Sequence, residues 1–317
     1  MAKSNSFFGK RRGSTKNFTF TVFNGHQVTK EKAEQVKNPR TLAQMRNRMV
    51  LTTSSAAYAA MKEIVDHSFE GYKYGLQNMS RFQSLNNKLL RANIGAATPQ
   101  FAYCNYGEAQ LLPGAYQVSD GSLATISNGL VSVAGNDDNG VIVQINAAAT
   151  EQPVTSNRIL ERFGLNVGDL ATIVAIVGNN DEGTEFGFMF LRFKVTLASD
   201  TTLTAENLGN FVEFESNSQI TISGISSGQI EMVVAMQGAS RAGAVAYGII
   251  HSRLSNSVWA RSKCVLSLNT TMGELAPSAN SAIATYPVGG SYILNDGDIP
   301  GGSSVGPNEG GDDTGEP

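Results

Sequence analysis

At 317 residues, 41% hydrophobic and 16% charged, the chain can bury a substantial core, and its composition excludes disorder throughout. Its net charge of −3 hides a split: residues 1–94 carry 16 Lys and Arg against 5 Asp and Glu, whereas residues 95–317 carry 8 against 22. The most apolar window, Asp169 to Gly178, is far shorter than the ~20 residues of a spanning helix, and no secretion signal is visible, so the expectation is a protein made in the cytoplasm with no membrane partner.

Residues 1–16 read as a flexible basic arm with Lys3, Lys10, Arg11, Arg12 and Lys16 and no acid. Phe18, Phe20 and Val22 then alternate with Thr19, Thr21 and Phe23, a strand pattern, and Asn24-Gly25 is a strong two-residue hairpin signal. His26 to Lys30 return as the second strand. A helix follows over about 40–66, with two candidate starts. One is Asn38-Pro39; the other is Thr41 with Gln44, a capping box. Leu42, Met45 and Met49 share one face and are expected to meet the apolar side of the hairpin. Arg40, Gln44 and Arg48, spaced by four, form a polar stripe on another face. A second helix is expected over Ser80–Ala92.

The remainder reads as β-rich. Strands are predicted at Gln100–Asn105, Ala115–Val118, Gly129–Ala134, Val141–Ala147, Ala171–Val177 and Phe186–Leu197. Further strands are predicted at Phe211–Glu215, Ile220–Ile225, Ile230–Gln237, Ala244–Leu254 and Val258–Leu268. Turn signals such as "NDDNG", "SSG" and "SNS" separate them, with short helical pieces at Ser156–Phe163 and Thr204–Leu208. From about Ala276 the chain is rich in Pro, Gly, Ser and acids. Asn295 to Pro317 carry six acids and no base, and Asp296 to Pro317 read as a disordered tail. The expected fold is α+β, mainly β. Its parts are the arm (1–16), a hairpin and two-helix unit (17–95), a β-sandwich-like region (96–270, with a sub-boundary near 150) and an extended tail (271–317).

Catalytic chemistry finds little support. His26, His67 and His251 each stand without a second ligand or base at local spacing. His67, at the end of its helix, suits the negative end of the dipole. Cys104 and Cys264 read as buried small hydrophobes. The loops "GNDDNG" and "GNNDEG" put glycine where a calcium loop needs its first Asp. No catalytic, cofactor or metal-binding residue is assigned. The aromatics Phe18, Phe20, Phe23 and Trp259 are read as packing residues in preference to base-stacking platforms.

The stretch "GKRRGSTKNFTFTVFNGHQVTKEKAEQVKNPRTLAQMRNRM" resembles an uncharacterised family from gut bacteria and their bacteriophages. The pattern is carried by Gly9, Lys10, Gly13, Gly25, Lys37, Asn38, Pro39, Arg40, Thr41, Gln44 and Arg48. The resemblance implies no activity; it implies a structural or accessory protein of a phage or mobile element.

Two functions follow as expectations. The first is a non-enzymatic structural or assembly protein, contacting copies of itself or other structural proteins through arm, hairpin and strand edges, and incorporated in a phage particle. The second is a nucleic-acid-binding accessory protein. The candidate partner or phosphate contacts for both are Lys3, Lys10, Arg11, Arg12, Lys16, Arg40, Gln44, Arg46 and Arg48.

Overall fold

The computed structural model describes residues 2–4, 13–14, 18–23, 26–31, 41–136, 140–150, 152–178, 185–235, 244–269 and 278–286. The turn Asn24-Gly25, the Asn38-Pro39 pair, the two Asp-rich loops and the acidic tail lie outside these residues.

Strands β1 (Ala2–Ser4), β2 (Gly13–Ser14), β3 (Phe18–Phe23) and β4 (His26–Glu31) form an antiparallel sheet in the order β1-β4-β3-β2. The β3–β4 register runs from Phe18 opposite Glu31 to Phe23 opposite His26, which leaves two residues for the connection, as the sequence implies. The arm supplies both outer strands. A bare two-stranded hairpin leaves two unpaired edges, and pairing them satisfies its backbone groups.

Helix α1 (Leu42–Val65) starts at the capping box. Thr41 Oγ1 accepts from the Gln44 N–H, and Gln44 Oε1 accepts from the Thr41 N–H, both at 3.3 Å. Helix α2 (Leu76–Asn93) packs back against α1. Met45 and Met49 do not meet the hairpin. They enter a core with Tyr58, Phe82, Leu90, Phe101 and Tyr116, and among the described residues no hairpin side chain belongs to it. Buried Asn86 links α2 to β5 (Gln117–Ser119): its Nδ2 donates to the Gln117 carbonyl at 2.9 Å and its Oδ1 accepts from the Gln117 N–H at 2.8 Å.

The β-rich remainder is a sandwich. Its elements are β6 (Val131–Asn136), β7 (Gly140–Asn146), α3 (Ser156–Phe163), β8 (Leu170–Gly178), β9 (Phe186–Val195), β10 (Val212–Ser216), β11 (Ile220–Ser226), β12 (Gln229–Ala235), β13 (Ala244–Ser255) and β14 (Val258–Arg261). One sheet has the order β10-β9-β8-β13-β14 and the other β11-β12-β7-β6. Two hairpins close through two-residue turns with positive φ, Ser227-Gly228 and Asn256-Ser257, at the "SSG" and "SNS" signals.

This larger sheet, which Ser267–Leu268 joins as a sixth strand on β13, lies between the two cores. Along β8, Ala171, Ile173, Ala175 and Val177 face the second sheet, and Val174 and Ile176 face the helices. Period-2 alternation with both faces covered turns the strand into one continuous apolar run. β9 divides the same way: Met189, Leu191, Phe193 and Val195 go to the sandwich core, and Phe190 to the helical side. Helix α3 closes the sandwich with Ile159 and Phe163. Both cores draw on residues far apart in sequence, the helical core from Met45 to Tyr286 and the sandwich core from Ile126 to Ile249.

Three sequence expectations are corrected. Gln100–Asn105 is not a strand; it is a segment buried over Phe101–Cys104 with a single bridge, Phe101 to Gly114. Val258–Leu268 is not one strand but β14, β15 (Cys264–Val265) and β16 (Ser267–Leu268). The chain leaves the sheet edge, pairs with β5 and returns to β13. Within the stretch read as an extended tail, α4 (Ala279–Thr285) forms and buries Ala282 and Ile283 against the helical core. Its Ser278 cap accepts from the Ser281 N–H at 3.2 Å.

Tyr116 is fully buried, and its hydroxyl has no hydrogen-bond partner among the described residues. Desolvation without compensation costs about 1–3 kcal/mol. Tyr116→Phe is therefore expected to be neutral or to stabilise the fold by up to about 1 kcal/mol in urea unfolding. A loss larger than about 1 kcal/mol would show that the hydroxyl has a partner.

Candidate functional site

Of the nine residues singled out from the sequence as contacts, Lys3, Gln44, Arg46 and Arg48 are among the described residues. Lys3 sits in β1, opposite Val28. Lys10, Arg11, Arg12, Lys16 and Arg40 lie outside the described residues. Gln44 is used by the capping box. Arg46 and Arg48 are half-buried in the first two turns of α1.

A cleft forms at the other end of α1. The helix-facing side of the central sheet is apolar beneath the helices, at Val174, Ile176 and Phe190. Continuing at period 2, it becomes polar where α1 ends: Thr172 on β8, Arg192 on β9 and Ser252 on β13. The last turn of α1 and the residues after it, Glu63, Ile64, His67 and Ser68, form one wall. Trp259 and Arg261 of β14 complete an opening of about 240 Å³. Arg48 is 19 residues up the helix from His67, about 28 Å at ~1.5 Å per residue, so the basic N-terminal turns do not reach it.

Two guanidinium groups dominate the cleft. Arg192 Nε donates to Thr172 Oγ1 at 3.2 Å, and its Nη1 donates to Glu215 Oε2 at 2.7 Å. Arg261 Nε donates to the His67 carbonyl at 2.8 Å, and its Nη1 to the Ala260 carbonyl at 3.3 Å. Its guanidinium lies 4.6 Å from the centre of the Trp259 ring, a cation–π contact. Burial, and then the neighbouring Arg192, push Arg261 down to about 10, with Glu70 offsetting part of that. Glu70 is itself held below the usual carboxylate range, first by the Ser122 N–H and also by the Arg261 N–H.

This geometry revises one sequence expectation. Trp259 is not a core residue: it is 39% exposed and stacks with Arg261. Two residues past the end of α1, Arg261 meets the His67 backbone oxygen; the His67 ring lies against Tyr74 at 6.2 Å between centres.

His251, alone in sequence, is not alone in space. Its Nε2 lies 3.0 Å from Asp169 Oδ2, and both side chains are buried. Arg253, two residues on, donates side-on to the same carboxylate at 2.9 and 2.6 Å, and the Asn166 N–H adds a bond at 2.8 Å. Burial pulls the Asp169 carboxyl up, but Arg253, the Asn166 N–H and His251 outweigh it and hold it below the usual range. The cluster pins the turn after α3 to β13. The Ser262 hydroxyl accepts from the His251 backbone N–H at 2.9 Å, and among the described residues no Ser, Thr or Cys side chain hydrogen-bonds to the His251 ring.

Among the described residues, no group of three His, Cys, Asp or Glu side chains is placed to hold a metal ion. No described helix is long and apolar enough to cross a membrane. Cys104 and Cys264 are buried and free, and burial pushes both thiols up, Cys264 to about 12.

Asp169→Asn leaves Arg253 and His251 without their anionic acceptor, an expected loss of about 2–4 kcal/mol in urea unfolding at pH 7. The folded pKa lies below the unfolded value of about 4. The stabilisation is therefore present above that pH and fades as pH falls through the folded value. The gap between native chain and variant should shrink on going from pH 7 to pH 3; a gap that persists unchanged would contradict this assignment.

Residues 11–164 match the sequence model of a family described as "Family of unknown function (DUF6266)". The match covers just under half of the chain: β2, β3 and β4 of the N-terminal sheet, both long helices, β5, β6, β7 and α3. It stops before the central sheet's β8 and before every β-strand residue of the cleft. No curated protein and no solved structure matches the chain.

Proposed function

We propose that this chain is a non-enzymatic structural or assembly protein whose copies, or whose structural partners, meet through strand edges and the N-terminal strand unit. The resemblance of its N-terminal stretch to a phage-associated family points to a phage particle or related mobile element as the setting. The observation behind the reading is a pair of open strand edges. Among the described residues, β10 pairs only with β9, and β11 only with β12. Three residues join them, a span of about 10–13 Å that matches the ~10 Å between packed sheets, so both edges lie on one side of the sandwich.

The edge at β11 lacks the usual protection. Its sequence, Ile220-Thr-Ile-Ser-Gly-Ile-Ser226, has no charge and no proline, only a bulge between Ile222 and Gly224. Thr221 and Ser223 point outward and are exposed. Such an edge accepts a strand from another chain through backbone hydrogen bonds. The split charge of the sequence fits oppositely charged surfaces meeting between subunits.

The test is assembly of the full chain, followed by light scattering and native mass spectrometry with and without nuclease. Thr221→Lys with Ser223→Lys is expected to weaken self-association by about tenfold or more, with unchanged circular dichroism and Tm. A chain that stays monomeric at high concentration without a structural partner, or an association indifferent to these lysines, contradicts the reading. Assembly that disappears with nuclease favours the alternative, nucleic-acid binding by the basic N-terminal region.

A further inference from the structure

Among the described residues, each of the two cleft arginines keeps donors in reserve. A guanidinium has five N–H donors in a fixed fork. Arg192 commits Nε and Nη1, and so does Arg261, to Thr172, Glu215 and the two backbone carbonyls. The Nη2 group of each has no hydrogen-bond partner among the described residues. The other charged groups at hand are Glu63 on the rim, Glu215, which is tied to Arg192, and Glu70, which is tied to Ser122 and the Arg261 backbone. Ser252 adds a hydroxyl to the lining, and Ile64, Leu170 and Ile250 add apolar surface. The chemistry suits an anion, a carboxylate among them, carried beside apolar surface.

The chain carries such carboxylates. Residues 295–317 hold Asp296, Asp298, Glu309, Asp312, Asp313 and Glu316 and no Lys or Arg. They follow α4, which is anchored on α1, with Tyr286 beside Thr52. From Thr52 to His67 along α1 is 15 residues, about 22 Å. From Tyr286 to Asp296 is ten residues, up to about 33 Å when extended. The first acids therefore reach the cleft within the same molecule, and later ones reach it with slack.

We propose that the cleft between the end of α1 and the central sheet receives carboxylates of the chain's own acidic segment, residues 295–317. Arg192 and Arg261 act as the receiving forks, and Trp259 forms the side wall. The contact is intramolecular and stands independently of assembly through strand edges.

Trp259 is the chain's single tryptophan, so its fluorescence reports on this cleft alone. The experiment measures acrylamide quenching in two full-length chains: the native one, and one with Asp296→Asn, Asp298→Asn, Glu309→Gln, Asp312→Asn, Asp313→Asn and Glu316→Gln. A tethered segment acts at an effective concentration of roughly millimolar, so loss of its charges should raise quenching about twofold or more. About 0.5 M NaCl should do the same to the native chain. A synthetic peptide of residues 295–317, added to the neutralised chain, should restore protection. Arg192→Gln in the native chain should remove protection while Tm stays within a few degrees. Equal quenching in the two chains overturns the proposal, as does a peptide without effect or protection that survives Arg192→Gln. Protection of the native chain by millimolar inorganic phosphate also overturns it, since the cleft would then be open to anions from solution.

Discussion

The two cores of this molecule meet at one strand, β8, that has no face left for water. Residues 171–178 of β8 are all buried, and the alternation along the strand sends side chains into two different cores. Burying a Val or Ile side chain is worth about 1.5–3 kcal/mol, so β8 alone demands cover on both faces. The two long helices supply one cover and the four-stranded sheet the other. Removing either would expose a continuous apolar surface, which explains why both cores collect residues from distant parts of the chain.

The helical cover is shorter than the sheet it lies on, and the cleft is the consequence. Where α1 ends, the same sheet face carries Thr172, Arg192 and Ser252 in place of Val174, Phe190 and Ile250's apolar neighbours beneath the helices. Arg261 meets the His67 carbonyl just past the helix and stacks on Trp259, so one side chain both holds the chain leaving the helix and shapes the cleft. At the other end of α1, Thr41 and Gln44 spend their polar groups on the helix start. What the basic N-terminal stretch contributes there is local structure before it is recognition.

Elements were legible where local chemistry decides them. The capping box, α3 and most strands follow from side-chain spacing alone, and the two-residue hairpins follow from Asn, Ser and Gly at positive φ. Trp259 was misread because an aromatic in an apolar strand pattern is usually core, whereas here it lies at a sheet edge that no element covers. α4 escaped notice because seven residues, about two turns, are too short to show a helical period. The cleft was half visible: "FMFLRFKV" shows one face of β9 changing from Phe188 and Phe190 to Arg192 and Lys194. The pairing that brings β14 and the end of α1 to that face, like the one that joins Asp169 to His251 across 82 residues, is set by tertiary packing, which no local spacing encodes.

The central claim is that β8 is the most deeply held element of the fold. Native-state hydrogen exchange measures this directly, because amides that open only on global unfolding exchange at the full unfolding free energy. The account predicts that the amides of Ile173 to Val177 fall in this slowest class and that their exchange follows global stability. If these amides exchange faster than those of α1 or of the second sheet, the sheet is not the constraint on which the two covers depend.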